Sequence, residues 1–319
     1  MRKKWLIGLM VLAAAGVTTA ALLGNQVGRT AATPSALVGY DDPGKRDDSG
    51  ALPAQNGSAG ARRQPDSSMV IGLTGDRRLV SFRTNDPDRL RTIGKVTGLS
   101  GDTRLIGMDF RVQDGKLYGV GDRGGIYTMG TRDAKATKVS QLTVGLTGNT
   151  FDIDFNPAAN RLRVVSDTGQ NLRHNIDDPM GAPATGTTAA DTTLTTPPAA
   201  TPTTGVVGAA YTNNDRNAST ATTLFDLNVA ADQIAVQSPA NQGELAPTGS
   251  LTVDAVGDAG FDISTTLRDG VAVANAGFAT LKVDGRYRFY RVDLLTGRVS
   301  ATGAFRQDVL DIALPLDQR

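Results

Sequence analysis

Short apolar runs bounded by Gly, Asn and Asp fill the chain from about residue 69 onward, without a helical-period stretch of useful length. One phrase recurs, in which apolar residues bracket an Asp and a strand-turn-strand pattern follows. Its copies lie at residues 106–110, 151–155, 260–263 and 310–312, with a degenerate copy at 207–211. Such recurrence is typical of small sheets arranged as a repeat array. It predicts an all-β β-propeller of about five blades, with six blades or a less regular β array as alternatives.

The two ends of this region complement each other. Residues 309–316 match the first strand of a blade, but no blade follows them, and the first blade starts near Met69 without its innermost strand. Closure of the ring by the C-terminal strand solves both problems and leaves only short edges. The third and fourth blades are imperfect, and the outer strand of the third is poor. This strand is expected near residues 192–195, inside a Thr-rich segment, 185–204, that predicts a solvated loop or a ragged outer strand.

The N-terminus indicates export. Arg2, Lys3 and Lys4 precede an uncharged run at residues 5–23, which is typical of a signal peptide and also long enough for an uncleaved membrane anchor. Residues 24–68, rich in Gly, Pro, Ser, Ala, Asp and Asn, predict a flexible, disordered linker before the propeller at 69–316. We therefore expect an extracytoplasmic protein, secreted or at the cell surface, that meets the membrane only through this first segment.

Charge and residue composition limit the partners and the catalytic sites that the protein can have. The 33 basic and 32 acidic residues give no basic face of the kind that nucleic acid requires, so no nucleic-acid partner is expected. The chain has no Cys and one His, His174, which leaves no Ser-His-Asp or Cys-His set and no ordinary zinc site. His174 is interpreted as a solvated or hydrogen-bonded strand residue.

Two further motifs imitate catalytic or cofactor-binding signatures. Asp167-Thr168-Gly169 occurs once, whereas an aspartic protease needs two such carboxylates, so we interpret it as a tight turn. Residues 119–124 have the GxGxxG spacing of dinucleotide-binding loops, but a strand follows where a helix is required. We interpret them as a Gly-rich hairpin.

The repeated Asp is the sharpest functional signal. Alternation of side chains along a strand places Asp152 and Asp154 on one face. Aligning the copies puts Asp109, Asp154, Ala210, Asp262 and Asp311 at one position, with Gly107, Asp152, Gly208, Gly260 and Val309 two residues earlier. The candidate residues of a central binding pocket are therefore Asp109, Asp152, Asp154, Asp262 and Asp311.

Carboxylates crowded in this way repel, and a cation, an Arg such as Arg111, or raised pKa values would relieve the repulsion. Calcium is the cation that suits oxygen ligands, and its ligands would be Asp109, Asp154, Asp262 and Asp311. The structural alternative is that each Asp accepts backbone N–H groups of the next blade and sets the repeat geometry. A loop containing Asn213 and Asn214 is a second candidate site, since loops carry the ligands of many propellers.

Two stretches resemble a known family. Residues 163–173, RVVSDTGQNLR, and 207–214, VGAAYTNN, are similar to hallmarks of the uncharacterised bacterial family domain of unknown function 4394, as are residues 117–119 and 259–263. The resemblance covers about residues 69–316. It implies a secreted or surface-associated propeller-like domain, and it carries no established catalytic or binding residues.

These observations favour a monomeric extracytoplasmic binding or interaction module whose ligand is a protein, a glycan or a small molecule. No catalytic constellation is visible in the sequence. The alternative from another class is a metal-dependent hydrolase, acting on esters or lactones, in which an Asp-lined central pocket holds a cation that activates water. A passive structural component of the cell envelope is a third possibility.

Overall fold

The computed structural model describes residues 67–217 and 219–316. Within them, twenty strands form five four-stranded antiparallel sheets. In chain order, the strands are β1 Met69–Thr74, β2 Arg78–Arg83, β3 Asp86–Lys95, β4 Leu105–Phe110, β5 Leu117–Gly121, β6 Gly125–Met129, β7 Ala136–Gln141, β8 Phe151–Asn156, β9 Arg161–Ser166, β10 Asn171–His174, β11 Thr188–Ala190, β12 Val206–Tyr211, β13 Leu224–Asn228, β14 Gln233–Gln237, β15 Leu245–Ser250, β16 Gly260–Arg268, β17 Val271–Val283, β18 Arg286–Val292, β19 Val299–Ala304 and β20 Val309–Ala313.

The sheets are the five blades of a propeller, which confirms the predicted fold. Named from the innermost strand outward, blade 1 is β20-β1-β2-β3, blade 2 is β4 to β7, blade 3 is β8 to β11, blade 4 is β12 to β15 and blade 5 is β16 to β19. The inner strands β4, β8, β12, β16 and β20 contact one another in succession around the ring.

The predicted closure by the C-terminal strand is also confirmed. β20 pairs with β1 in antiparallel register, so that Ile71 lies opposite Ala313 and Leu73 opposite Asp311. The last strand of the chain thus supplies the inner strand that the first blade lacks, and it leaves no gap between the first and last sheets.

Apolar side chains fill the space between neighbouring blades. The boundary between blades 2 and 3, for example, packs Ile106 and Tyr118 against Ile153 and Phe155. Between blades 5 and 1, Phe82 meets Phe289 edge to face at a ring-centroid distance of 5.0 Å. Since the chain has no Cys, this packing and the sheet ladders hold the ring together.

Blade 3 departs from the sequence expectation at its outer strand. β11 occupies residues 188–190, a few residues before the predicted 192–195. Leu194, within the predicted segment, is instead fully buried in the core between blades 3 and 4. The Thr-rich stretch therefore contains a short outer strand, and the segment after it contributes Leu194 to the core between blades 3 and 4.

The two motifs that resemble protease and dinucleotide-binding signatures form ordinary turns. Gly169 has a φ of 84°, and its N–H donates to the Ser166 carbonyl at 2.9 Å, as expected for a tight turn. Gly124 closes the β5–β6 hairpin, where its N–H donates a hydrogen bond to the Gly121 carbonyl at 2.8 Å.

His174 is buried on β10, and its two ring nitrogens each lie 2.9 Å from a hydroxyl oxygen, one on Ser140 and one on Thr188.

The predicted leader at 1–23 and nearly all of the predicted linker at 24–68 lie outside the described residues. Among the residues that are described, no helix is both long and apolar enough to cross a membrane.

Candidate axial carboxylate site

All five predicted aspartates lie on inner strands and are buried. Asp109 lies on β4, Asp152 and Asp154 on β8, Asp262 on β16 and Asp311 on β20, each at most 6% exposed. The apolar side chains of β8 face blade 2, so alternation along the strand turns its carboxylates toward blade 4. The same geometry in the other blades brings the carboxylates toward the axis of the ring.

Each of these carboxylates accepts a backbone N–H of the next blade. The pairs, carboxylate first, are Asp311 with Met108 at 2.7 Å, Asp109 with Phe155 at 2.8 Å, Asp152 with Ala209 at 2.9 Å, Asp262 with Leu314 at 2.6 Å, and Asp154 with Tyr211. The inner strand of a blade has one unpaired edge, and its N–H groups need acceptors. These hydrogen bonds are the contacts that the structural alternative predicts, and they link four of the five blade boundaries.

The hydrogen bonds also fix the register of the copies. Asp109 accepts from Phe155, the residue after Asp154, and Asp154 accepts from Tyr211, the residue after Ala210. Asp152 instead accepts from Ala209, the residue after Gly208, and Asp311 accepts from Met108, the residue after Gly107. The sequence alignment therefore placed Asp311 two residues from its true position.

The axial side chains form two layers. The three-carboxylate layer contains Asp109, Asp154 and Asp262 with Ala210 and Ala313, and the two-carboxylate layer contains Asp152 and Asp311 with Gly107, Gly208 and Gly260.

Close approach of the inner strands explains the glycines of the second layer. A Cβ added at Gly260 would lie 2.5 Å from the Asp311 Cα, and one at Gly208 would lie 2.7 Å from the Phe261 Cβ. Real Cβ atoms do not come this close to other heavy atoms, so a larger residue would push adjacent blades apart.

The three-carboxylate layer has the geometry of a cation site. Asp109, Asp154 and Asp262 each offer one oxygen, and these oxygens all lie within 4.8 Å of one another. Oδ1 of Asp154 is buried without a hydrogen-bond partner. Arg111, expected as a possible partner of these carboxylates, instead donates to Asp177 and to the Tyr118 hydroxyl.

Burial raises the pKa of every axial aspartate. Desolvation raises the pKa values of Asp109, Asp152, Asp154 and Asp311 well above the ordinary value, with neighbouring carboxylates adding to the effect, and it raises the pKa of Asp262 to about 7. Backbone N–H donors oppose these shifts because they stabilise the charged form. Full ionisation of the cluster is thus disfavoured. Bound protons or a bound cation would reduce its negative charge.

The predicted loop site lies at the same end of the axis as the three-carboxylate layer. Asn214 donates to the Ile263 carbonyl of blade 5, while Arg216 donates to the Val112 and Gln113 carbonyls of blade 2. Blades 2 and 4 are not neighbours, so the connection from β12 to β13 spans the end of the central channel. Asn213 lies at the start of this span.

Asn213 also borders a large cleft between blades 4 and 5. Its backbone N–H donates to the Asn275 side-chain oxygen at 3.0 Å, and its own side-chain oxygen accepts from the Asn275 amide at 2.7 Å. The cleft has a volume of about 880 Å³ between blades 4 and 5, and Arg291, Arg298 and Leu295 of blade 5 line it. It opens at the one boundary where the inner strand, with Ala210, contributes no linking carboxylate.

One buried titratable group was not predicted from the sequence. Asp226 on β13 is fully buried, neither of its side-chain oxygens has a hydrogen-bond partner, and desolvation raises its pKa to about 8 although Arg163 opposes the shift. It shares its strand face with Leu224, in the apolar core between blades 3 and 4. An Asp between apolar strand residues was the available signal, but it falls outside the repeated phrase.

Comparison with known sequences identifies the family. Residues 78–313 match the family described as Domain of unknown function (DUF4394). The chain belongs to the DUF4394 family. The resemblance seen in residues 163–173 and 207–214 is thereby confirmed, and the DUF4394 match spans all five blades. No curated protein matches the chain.

Solved structures with a similar fold are distant. A structural genomics protein of unknown function from Bacteroides thetaiotaomicron VPI-5482 is 13% identical with a TM-score of 0.40, covering 79% of this chain and 65% of that one. "YCF48 bound to D1 peptide" is 12% identical with a TM-score of 0.33, covering 74% and 64%. An auxiliary nutrient binding protein from the same Bacteroides strain is 11% identical with a TM-score of 0.38, covering 76% and 61%. The chain thus spans less than two thirds of each of these structures.

Proposed function

We propose that this DUF4394 protein is a binding module that works outside the cytoplasm and holds an anionic ligand in the cleft between blades 4 and 5. The observation that carries the proposal is the pair Arg291 and Arg298. Both side chains are exposed in the cleft, and neither forms an ion pair with a described residue. Asp293 also lines the cleft, and its carboxylate accepts the backbone N–H groups of Leu295 and Thr296. The two unpaired guanidinium groups therefore favour ligands that carry carboxylate, sulfate or phosphate groups.

The shape of the cleft supports this reading. Its volume of about 880 Å³ falls within the range of about 300–1,000 Å³ that is usual for ligand pockets. Asn213 and Asn275 hold each other in place at one side through reciprocal hydrogen bonds. Exposed Leu295 adds apolar surface at the other side. A preorganised polar edge beside cationic and apolar groups suits a ligand with both charged and uncharged parts.

The proposed location rests on the start of the chain. Arg2, Lys3 and Lys4 followed by the uncharged run at 5–23 are typical of an export signal or an anchor. The ligand would then be a molecule that is found outside the cell or in the envelope.

Binding is favoured over metal-dependent hydrolysis of an ester or a lactone. The axial carboxylates are buried and already accept backbone N–H groups, and the β12–β13 connection spans the adjacent end of the channel. An ester of ordinary size would need a rearrangement of this connection to reach them.

The experiment is a titration of the full chain with anionic ligands, using oligogalacturonate and a poly-glutamate peptide as probes and uncharged oligosaccharides for comparison. We expect saturable binding of an anionic probe that weakens as salt is added. The double variant R291A/R298A should bind about 10-fold or more weakly, since one charge-assisted hydrogen bond contributes about 1.5–3 kcal/mol.

The matched control is Arg286→Ala, which removes an exposed arginine of the same blade outside the cleft. It should bind like the unaltered protein. Equal loss of binding in the control and in the double variant would contradict the assignment of the cleft, and so would binding that is unaffected by the double variant.

A further inference from the structure

We propose that Asp109, Asp154 and Asp262 together bind one divalent cation of the hard, oxygen-preferring class, most suitably Ca²⁺, on the axis of the propeller. This site is separate from the cleft between blades 4 and 5, and neither proposal depends on the other.

The spacing of the oxygens fits a single ion. One oxygen from each carboxylate lies within 4.8 Å of the other two. Calcium–oxygen distances are about 2.3–2.6 Å, so two ligands on opposite sides of the ion lie about 5 Å apart and adjacent ligands lie closer. The three oxygens can therefore reach one Ca²⁺ with at most a small movement of their side chains.

The unpartnered oxygen of Asp154 is the independent indication of a ligand. This residue is only 2% exposed, one of its carboxylate oxygens is served by the backbone of Tyr211, and Oδ1 has no partner. Leaving a buried carboxylate oxygen without a partner is expensive in free energy. A cation in the cluster would supply the missing interaction.

The second layer shows what a purely structural carboxylate looks like in this fold. In Asp152, Oδ1 accepts the Ile153 N–H and Oδ2 accepts the Ala209 N–H, at 2.8 and 2.9 Å. In Asp311, Oδ1 and Oδ2 accept from Ile312 and Met108, both at 2.7 Å. Asp109 and Asp262 also use both oxygens on backbone N–H groups, so Asp154 alone among the five axial aspartates keeps an oxygen, Oδ1, without a partner.

The negative charges of the three clustered carboxylates would also be stabilised by a bound cation. Three carboxylates converge, and Arg111, two residues beyond Asp109 on the chain, donates to Asp177 instead. His174, the single imidazole, is bonded to two hydroxyls elsewhere in blade 3 and at its border. A donor set made only of oxygens selects hard cations over zinc or copper, and backbone carbonyls and water can complete the coordination.

The first measurement uses the full chain, purified without chelators. We expect metal analysis to find about one calcium per chain. Removal of the metal with EDTA should lower the melting temperature, and adding Ca²⁺ back should restore it. At a Ca²⁺ concentration 100 times the dissociation constant, the rise should be about 5–10 °C for a domain of this size.

Two matched variants separate ligation from general stability. Asp154→Asn removes a ligand, and Asp152→Asn removes a carboxylate of the same strand that lies in the other layer. Both should melt below the unaltered protein, but only Asp154→Asn should lose the response to Ca²⁺. Asp262→Asn serves the same purpose if Asp154→Asn does not fold.

The proposal is overturned if the unaltered protein carries no divalent cation and its melting temperature is insensitive to both EDTA and Ca²⁺. It is also overturned if the Ca²⁺ response survives in both Asp154→Asn and Asp262→Asn. The cleft variant R291A/R298A should retain the full Ca²⁺ response, which distinguishes failure of this site from failure of the proposed ligand cleft.

Discussion

Asp226 offers a quantitative test of how dry the boundary between blades 3 and 4 is. Its two carboxylate oxygens are buried without partners, and desolvation raises its pKa from 3.8 to about 8. The perturbation is Asp226→Asn, which keeps the shape of the side chain and removes its ability to ionise. The amide, like the protonated acid, would remain without partners, so the two proteins should have similar stability near pH 4.

The sign and size of the effect follow from proton linkage. Between pH 4 and pH 8 the unfolded chain of the unaltered protein has released the Asp226 proton while the folded protein retains it, so the folded state loses stability as the pH rises. One pKa unit corresponds to about 1.4 kcal/mol. Relative to the unaltered protein, Asp226→Asn should therefore gain about 1.4 kcal/mol per pH unit, or about 4 kcal/mol from pH 5 to pH 8.

The assay is urea unfolding of both proteins at pH 5, 6, 7 and 8 and constant ionic strength. The axial carboxylates also titrate, but they are common to both proteins and cancel in the difference. Asp258→Asn is the matched comparison, because desolvation raises the pKa of Asp258 only to about 6, and its gain should level off near that pH. A stability difference for Asp226→Asn that does not change with pH would refute the reasoning, since Asp226 would then be ionised in the folded protein.

Three other changes test separate parts of the structure. Truncation after Phe305 removes the inner strand of blade 1 and should abolish cooperative thermal unfolding; a truncated protein that melts like the full chain would contradict closure by β20. Gly208→Ala places a methyl group 2.7 Å from the Phe261 Cβ and should destabilise the fold by about 1–3 kcal/mol in urea titrations, whereas a neutral effect would mean that the strands are not so close. Burial lowers the pKa of His174 to about 4, so the unfolded chain takes up the His proton first and stability should fall as the pH drops from about 6.5 to 4. His174→Gln should flatten this fall, and an unchanged pH profile would show that the imidazole is accessible to protons when folded.

Much of the architecture follows from the sequence because a blade has a local signature. The repeated phrase marked the inner strands, and residues 309–316 without a following blade predicted the closure that β20 makes. The Thr-rich segment gave a weaker signal, since β11 is only three residues long and its pairing depends on β10.

The sequence alignment separated the two axial layers in four blades but misplaced Asp311. β8 has an Asp at each of two successive same-face positions, so the phrase at 310–312 matches either Asp152 or Asp154 equally well. Only the backbone partner, Met108, places Asp311 with Asp152. Long-range hydrogen bonds of this kind depend on how neighbouring blades are offset, which no local pattern encodes.

The blade 4–5 cleft was beyond prediction for a related reason. Asn213 was predicted as part of a candidate loop site, but Arg291 and Arg298 lie in blade 5, far along the chain. The absence of an Asp in the phrase at 207–211 was visible, and it marks the boundary where the cleft opens.

The structural account rests on inner-strand carboxylates that hold the edge N–H groups of the next blade. The most direct measurement is NMR detection of scalar couplings through hydrogen bonds, between backbone amide nitrogens and side-chain carboxyl carbons. The Met108 amide should couple to the Asp311 carboxyl and the Phe155 amide to the Asp109 carboxyl, with both amides slow to exchange with solvent. Fast exchange at both amides, or coupling of the Met108 amide to the Asp262 carboxyl instead, would contradict it.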